Sequence, residues 1–282
     1  MTRHYLDPLL QPASIALVGA SDKDGSPGQV LAAMVINSEF TGAVYPVNPN
    51  YQQILGQPCY PYLESLPETV DHVVIALGNQ HLESALEATI EHGARAATIY
   101  SSGILEQDSE PKLLARLAAK ASAAGLVICG VNGMGFYNVS QDLYAGIFPR
   151  ATEIIKGQIS YIAQSGSAFT TLCHNGCRLG FNLCVSAGTE ITTTVADYMD
   201  WSLEQADTRV IGLFLETVRD PTAFVAALEK ANRKDVPVVV LKIGKSPLSA
   251  AMAVTHTGAI AGNHAAFEAL FKRYGVIEVK DF

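Results

Sequence analysis

Short apolar runs alternate with longer mixed segments along the first half of the chain. The apolar runs predict buried strands at residues 14–18, 43–47, 73–77, 96–100 and 126–129. The segments between them predict helices at residues 29–38, 81–92 and 111–124. Strands and helices that alternate at this spacing are typical of a doubly wound, parallel α/β sheet, which binds ligands at the carboxyl ends of its strands.

The same alternation starts again after residue 157 and predicts a second parallel sheet. Strands are predicted at residues 158–163, 182–186, 210–215 and 237–241, with one more just before residue 280. Helices are predicted at residues 168–179, 193–204, 222–233 and 263–273. Between residues 137 and 157 the periodicity lapses. We therefore expect one α/β domain at residues 1–140, a linker at residues 141–156 and a second α/β domain at residues 157–282.

The composition fits two buried sheets and argues against several classes of function. Of the 282 residues, 49% are hydrophobic and 16% are charged, and the formal net charge is -8. The sequence has no run of Lys or Arg, which disfavours nucleic-acid binding. No apolar run approaches the ~20 residues of a membrane-spanning helix, and the first residues lead into no apolar segment, so we expect no signal peptide. We expect a cytoplasmic protein with no membrane or nucleic-acid partner.

The five cysteines indicate neither disulfides nor a metal site. Their odd number and scattered spacing do not suggest a disulfide framework. Cys173 and Cys177 are four residues apart, but with only His174 near them, buried free thiols explain them better than zinc does. No metal site is predicted.

Small or polar residues follow each predicted strand of the first half, as a nucleotide site requires. The candidates are Gly19, Ala20, Ser21, Asn48, Pro49, Ser102, Gly103 and Asn132. The Gly-x-Gly-x-x-Gly fingerprint of NAD sites is absent, and the second strand ends in Asn48-Pro49 rather than in an acid. A phosphate-rich nucleotide is favoured over NAD. Lys23 is the one cation near the first loop, and a solvated loop charge is the alternative explanation for it.

Two features at strand ends of the second half point to phosphate chemistry. Gln164, Ser165 and Gly166 open a predicted helix, whose first amides can hold a phosphate; a serine helix cap is the alternative. Glu216 follows an apolar strand, where its carboxylate can accept a hydrogen bond from a histidine and leave the other ring nitrogen nucleophilic. The alternative is an exposed acid that pairs with Arg219.

A histidine near the end of the chain is the candidate phosphoryl carrier. His256 is followed by Thr257 and Gly258, then by small residues and a predicted helix. A histidine at such a position can hold a phosphoryl group on a ring nitrogen. The other six histidines have no glycine-rich loop beside them and fit core or surface roles. Thr257 and Gly258 are therefore counted with the predicted phosphate-binding residues.

Several motifs resemble those of the NDP-forming acyl-CoA synthetases, relatives of succinyl-CoA synthetase. In the first half these are Val18-Gly19-Ala20-Ser21, Tyr45-Pro46-Val47-Asn48-Pro49, Ser101-Ser102-Gly103 and Asn132-Gly133-Met134-Gly135. In the second half they are Leu241-Lys242-x-Gly244-Lys245-Ser246 and His256-Thr257-Gly258-Ala259-x-Ala261-Gly262.

Four short stretches depart from the family's pattern. Asn50 stands where the family usually has lysine, and Gly130-Val131-Asn132-Gly133 stands for Gly-Pro-Asn-Cys. Gly188-Thr189-Glu190 replaces Gly-Asn-Glu, and a run of threonines, Thr192-Thr193-Thr194, replaces the aspartate that usually follows. The last departure puts the choice of acid substrate in doubt.

The resemblance implies a Rossmann-like CoA-binding domain followed by a flavodoxin-like succinyl-CoA-synthetase domain. It implies that His256 carries the phosphoryl group, that Glu216 is its partner and that coenzyme A binds the first domain. The family's reaction also needs a carboxylic acid, ATP and Mg²⁺. The sequence has neither a Gly-x-x-x-x-Gly-Lys-Ser/Thr loop nor a segment like an ATP-grasp domain. We therefore expect a fragment or a subunit that needs an ATP-grasp domain or beta-type subunit, and an oligomer.

Two other classes of function remain open at this point. A non-catalytic, acyl-CoA-sensing module of a protein acetyltransferase resembles this architecture, but such modules often lose the histidine. An NAD-dependent enzyme is disfavoured by the loop after Gly19. The presence of both His256 and Glu216 favours the ligase.

Overall fold

The computed structural model describes residues 3–148, 153–244 and 264–281. The strands of the first half are β1 (Ser14–Val18), β2 (Ala43–Val47), β3 (Gln53–Ile54), β4 (Gln57–Pro58), β5 (His72–Ile75), β6 (Ala96–Ile99) and β7 (Val127–Gly130). Its helices are α1 (Asp7–Leu10), α2 (Pro27–Ile36), α3 (Leu82–Glu91) and α4 (Leu113–Ala124).

Five of these strands form one parallel sheet, in the order β2-β1-β5-β6-β7, and β3 and β4 pair separately. All five predicted strands are confirmed. The chain moves to one side of β1 to form β2 and then crosses to the other side to form β5. This reversal of strand order opens a crevice beyond the carboxyl end of β1.

The second half forms a mixed sheet of seven strands. Its strands are β8 (Gly135–Asn138), β9 (Leu143–Gly146), β10 (Lys156–Ala163), β11 (Phe181–Ser186), β12 (Val210–Leu215), β13 (Val238–Lys242) and β14 (Ile277–Val279). The order is β14-β13-β12-β10-β11-β8-β9, and β10 to β14 are parallel as predicted. The helices are α5 (Gly166–Cys173), α6 (Val195–Ser202), α7 (Pro221–Arg233) and α8 (His264–Tyr274).

An antiparallel hairpin, β8 and β9, lies where the sequence predicted a domain boundary. Strand β8 pairs antiparallel with β11, and β9 lies in the predicted linker of residues 141–156. Every residue of both strands is buried. Strands buried on both faces lack the alternation of apolar and polar residues that marks a half-exposed strand, so the pattern concealed them. The linker prediction is therefore wrong for β9.

Helix α5 ends six residues before the predicted end at residue 179. After Cys173 the chain turns at Gly176 and Cys177, whose φ angles are +66° and +62°. The Asn175 side chain accepts hydrogen bonds from the backbone N–H groups of Arg178 (2.6 Å) and Leu179 (2.8 Å). This local bonding replaces the helical bonds, as asparagine often does in turns.

The two halves are joined by the loops that follow β7 and β11. The Thr189 N–H donates to Val131 O (2.7 Å), and the Ile128 N–H donates to Thr192 Oγ1 (2.8 Å). A Cβ atom on Gly188 would lie 2.1 Å from Val131 O, and its φ is +62°, so the contact requires glycine. The side chain of Thr192, in the threonine run that departs from the family's pattern, thus bonds the second half to the edge of the first.

A buried histidine in the first sheet makes stability depend on pH. His72 is fully buried, and its Nε2 lies 2.9 Å from Thr98 Oγ1. Burial lowers its pKa to about 3. An unfolded histidine binds a proton near pH 6.5, so protonation does not reduce the free energy of unfolding above that pH. As the pH falls from 6.5 towards 3, the free energy of unfolding decreases by about 1.4 kcal/mol per pH unit.

We predict that His72→Asn reduces this acid sensitivity. Between pH 6 and pH 4 the free energy of unfolding of the wild type should fall relative to that of the variant, by ~1 kcal/mol or more per pH unit. Urea unfolding at several pH values measures this difference. His81→Asn, at an exposed histidine, is the control and should leave the slope unchanged. Parallel pH profiles for the wild type and His72→Asn would contradict the prediction.

Candidate functional site

The loop after β1 turns tightly beneath the start of α2. Gly19 has φ +85°, and a Cβ there would lie 2.7 Å from Ala76 O. Gly28, in the first turn of α2, approaches so closely that a Cβ would lie 2.0 Å from Gly19 O. Ser26 caps this helix by accepting a hydrogen bond from the Gln29 N–H. The crevice beside β1 is therefore edged by small residues and by a helix N-terminus, which suits a phosphate-bearing ligand.

The loops after β1 and β2 are tied together by side chains. Asn48 Nδ2 donates to Ala20 O (2.8 Å), and Ser21 Oγ lies 3.2 Å from the hydroxyl oxygen of Tyr51. Lys23 is exposed on the same loop, which agrees with the alternative of a solvated charge. The structure thus brings Gly19, Ala20 and Ser21 next to Asn48, as the sequence predicted from their places at strand ends.

A cavity of about 830 Å³ opens at this edge of the first sheet. Three predicted cofactor residues line it: Gly19, Asn48 and Pro49. Other residues of the lining were not predicted from the sequence, among them Tyr62, Leu63, His81, Ser84, Ala88, Glu91 and His92. They come from α3 and from the segment after β4, and no sequence pattern linked them to the strand ends. The volume lies in the range usual for small-molecule sites, about 300 to 1,000 Å³.

Ser102, Gly103 and Asn132 form a second group at the ends of β6 and β7. Asn79 Nδ2 donates to Ser102 Oγ (3.1 Å), and Asn79 Oδ1 accepts from the Gly103 N–H (2.9 Å). The Asn132 N–H donates to Ser101 O (3.0 Å). These residues lie outside the described lining of the cavity, so their contact with a cofactor stays a prediction.

In the second half, the Gln164 carboxamide bridges the ends of three strands. Its Oε1 accepts from the N–H groups of Glu216 (2.7 Å) and Thr217 (3.0 Å). Its Nε2 donates to Thr217 O (3.0 Å) and to Glu190 Oε2 (2.8 Å). The side chain predicted to bind phosphate is therefore fully engaged within the protein.

Ser165 and Gly166 begin α5, as predicted. Ser165 is the N-cap, and its Oγ accepts from the Ala168 N–H at 3.3 Å. The alternative explanation, a serine cap, is thus present in the structure. A cap does not exclude an anion, because a helix has four unpaired N-terminal amides and this serine satisfies one of them.

Glu216 is buried at the end of β12, with 8% of its surface exposed. Lys242 Nζ donates to its main-chain oxygen at 2.8 Å. The alternative of an exposed acid paired with Arg219 is wrong, because Arg219 Nε instead lies 3.6 Å from Glu190 Oε2. Glu216 therefore stands at the carboxyl edge of the sheet next to the start of α5, with Gln164 between them.

Glu190 is a buried acid in this cluster that the prediction of the site did not include. Its Oε1 accepts from the Val195 N–H at the start of α6 (2.7 Å), and its Oε2 accepts from Gln164 Nε2. Burial raises its pKa to about 7, although the bonds from Gln164 and Val195 and the Arg219 charge act in the opposite direction. The sequence marked this position only as part of a departing motif and did not show that its side chain turns inward.

Three predicted site residues, His256, Thr257 and Gly258, lie outside the described residues. Among the residues that are described, no group of three or more His, Cys, Asp or Glu side chains is placed to hold a metal ion. Cys173 is buried, but Cys177 is exposed, so the prediction of buried thiols is wrong for Cys177. None of the described helices is long and apolar enough to cross a membrane.

Comparisons with known proteins identify both halves. A model described as a CoA binding domain matches residues 13–138, and a model of the succinyl-CoA ligase like flavodoxin domain matches residues 156–282. A trans-feruloyl-CoA synthase from an unknown prokaryotic organism is 34% identical over 98% of this chain, which spans 40% of that protein. The ADP-forming acetate–CoA ligase I of Archaeoglobus fulgidus is 33% identical over 97% of this chain, again at 40% of its own length.

Subunits and solved structures give the same result. The alpha subunit of the ADP-forming acetate–CoA ligase I of Pyrococcus furiosus is 30% identical over 96% of this chain, which spans 60% of that subunit. The acetyl-coenzyme A synthetase 1 of Ca. Korarchaeum cryptofilum, solved in complex with phosphate and ADP, superimposes with a TM-score of 0.89 and 28% identity. That match covers 98% of this chain and 60% of the other. The chain therefore consists of a CoA-binding domain followed by a flavodoxin-like domain of the succinyl-CoA ligase type, and it spans only 40–60% of the length of these relatives.

Proposed function

We propose that this chain is the CoA-binding and phosphoryl-transfer part of an ADP-forming acid–CoA ligase. The observation that carries the proposal is the placement of Glu216. It is buried at the carboxyl edge of the second sheet. Its backbone N–H donates to the side chain of Gln164, the residue directly before the N-cap of α5. This arrangement offers an acid that can orient a histidine and a helix terminus that can hold its phosphoryl group.

In the proposed reaction His256 takes the terminal phosphoryl group of ATP and releases ADP. The phosphohistidine then passes this group to a carboxylate oxygen of the acid, which gives an acyl phosphate and regenerates the free imidazole. The CoA sulfur attacks the acyl carbonyl carbon, and the carbon–oxygen bond to phosphate breaks. The products are acyl-CoA and inorganic phosphate. ATP and Mg²⁺ would be bound by an ATP-grasp domain or beta-type subunit outside this chain.

The residues of this chain have distinct tasks in that sequence. The Glu216 carboxylate accepts a hydrogen bond from the N–H of the His256 ring, which leaves the other ring nitrogen free to react. The first amides of α5, after Ser165, face the phosphoryl group. CoA occupies the cavity beside Gly19 and Asn48, where its nucleotide lies against the turn beneath α2. The substrate that receives the phosphoryl group is a carboxylic acid, and the complete ligase is an oligomer.

We predict that His256 is phosphorylated by ATP. The chain, combined with an ATP-grasp partner or within the longer native protein, should take up label from ATP with radioactive γ-phosphate. The label should be stable in base and labile in acid. His256→Asn should abolish labelling, and Glu216→Gln should slow it by about tenfold or more, because the loss of a charged hydrogen bond costs roughly 1.5–3 kcal/mol. Quench-flow labelling measures both rates.

The control for this experiment is Glu229→Gln, an exposed acid on α7, which should label at the rate of the wild type. Equal labelling of the wild type and His256→Asn would show that the carrier is another residue. A normal rate for Glu216→Gln would remove Glu216 from the proposed pair.

We also predict that CoA binding stabilises this chain. At a concentration about 100-fold above its Kd, CoA should raise the Tm of this chain by roughly 5 °C or more, since such saturation adds ~2.7 kcal/mol of stability. Ala88→Trp, which places a large ring at an exposed position of the cavity lining, should lower CoA affinity at least ~10-fold. Differential scanning fluorimetry and calorimetry give these values.

Glu87→Trp is the matched control, because it adds the same ring one residue earlier on α3, at an exposed position outside the lining. It should bind CoA like the wild type. A larger thermal shift with NAD than with CoA would overturn the assignment of the cofactor, and equal affinities of the two tryptophan variants would place CoA elsewhere.

A further inference from the structure

Four neighbouring strands of the second sheet end in one connected row of polar groups. Lys242 is the last residue of β13, Glu216 follows β12, Gln164 follows β10, and Glu190 lies beyond β11. These strands are adjacent in the order β13-β12-β10-β11. Lys242 Nζ bonds to Glu216 O, the Glu216 N–H bonds to Gln164 Oε1, and Gln164 Nε2 bonds to Glu190. All four residues are less than 9% exposed.

Gln164 is the centre of this row, and its orientation is unambiguous. A carboxamide has two acceptor positions on oxygen and two donor hydrogens on nitrogen. Here the oxygen faces two N–H donors and the nitrogen faces a carbonyl oxygen and a carboxylate oxygen. A flipped amide would set donor against donor and acceptor against acceptor, so only one orientation fits.

We propose that Gln164 is the positioning residue for Glu216 and that the Glu190 carboxylate holds Gln164 in its orientation. Gln164 fixes the main chain where β12 ends, and the place of the Glu216 carboxylate follows from the place of its own backbone. The inference rests on the proposed function only for its consequence in catalysis. We call the hydrogen-bonded set of Glu190, Gln164 and the Glu216 backbone the brace. The brace is a property of this chain and can be measured without a reaction.

The brace should respond to pH through Glu190. Both carboxyl oxygens accept hydrogen bonds from N–H donors, so a proton on either oxygen competes with a donor already there. Of the charged and titratable groups that face Glu190, Arg219 favours the carboxylate and Asp197 opposes it, while Tyr198 lies nearby on α6. Burial opposes the charge most strongly, and the pKa of about 7 reflects that balance. Below neutral pH the acid form should weaken the bond to Gln164 and loosen the Glu216 backbone.

The direct test follows the amide signals of Glu216 and Thr217 by ¹H–¹⁵N spectroscopy of the deuterated chain from pH 5.5 to 8.5. In the wild type both signals should move together with one midpoint near pH 7. Glu190→Gln should abolish this titration. Gln164→Glu should move the midpoint upward by about one unit or more, since it sets a second carboxylate against Glu190. Gln205→Glu, a glutamine elsewhere in the second half, is the matched control and should titrate like the wild type.

The outcomes separate the brace from the reaction. Amide signals that do not titrate in the wild type, or that titrate unchanged in Glu190→Gln, overturn the proposal. In the labelling experiment, phosphorylation should slow more steeply below pH 7 in the wild type than in Glu190→Gln, where only protonation of the histidine nucleophile still slows it. CoA affinity should be the same in both. If the wild type titrates as expected but takes up no label, the brace stands and the proposed function fails. If the wild type labels but Gln164→Glu labels equally fast at every pH, Gln164 does not position Glu216.

Discussion

The carboxyl edge of the second sheet depends on one side chain that meets all of its hydrogen-bonding requirements inside the protein. Where strands end, backbone N–H and C=O groups lose their partners in the ladder, and a buried group without a partner costs roughly 1–3 kcal/mol. The Gln164 carboxamide supplies partners for the Glu216 N–H and for both backbone groups of Thr217. It acts in effect as one more peptide unit of the sheet.

The first half uses the same solution at its own strand ends. The Asn48 side chain donates to Ala20 O and accepts from the Asn50 N–H. The Asn79 side chain bridges Ser102 and the Gly103 N–H. Amide side chains suit this purpose because each offers both donors and acceptors. At such edges they shape the loops from which a ligand site is built, so a polar residue after a strand need not contact the ligand itself.

Close packing of loops then brings the two halves together. The segment after β11 crosses the end of β7, where Gly188 allows a backbone approach that any side chain would block. Thr192 completes the contact by accepting from the Ile128 N–H. Thr194 caps α6 together with Asp197. Two threonines of the departing run therefore have structural roles, which weakens the idea that they choose the acid substrate.

The sequence by itself determined the parallel strands, the loops at their carboxyl ends and the candidate residues Glu216 and Gln164, because these depend on periodicity and on residue type over short distances. Only the tertiary structure decided the hairpin of β8 and β9, the lining of the cavity by His81 and Tyr62, and the inward turn of Glu190. It also decided that Gln164 braces its neighbours, since its partners lie 26 to 53 residues away. Contacts over such separations arise from the order of strands in the sheet, which no local pattern encodes.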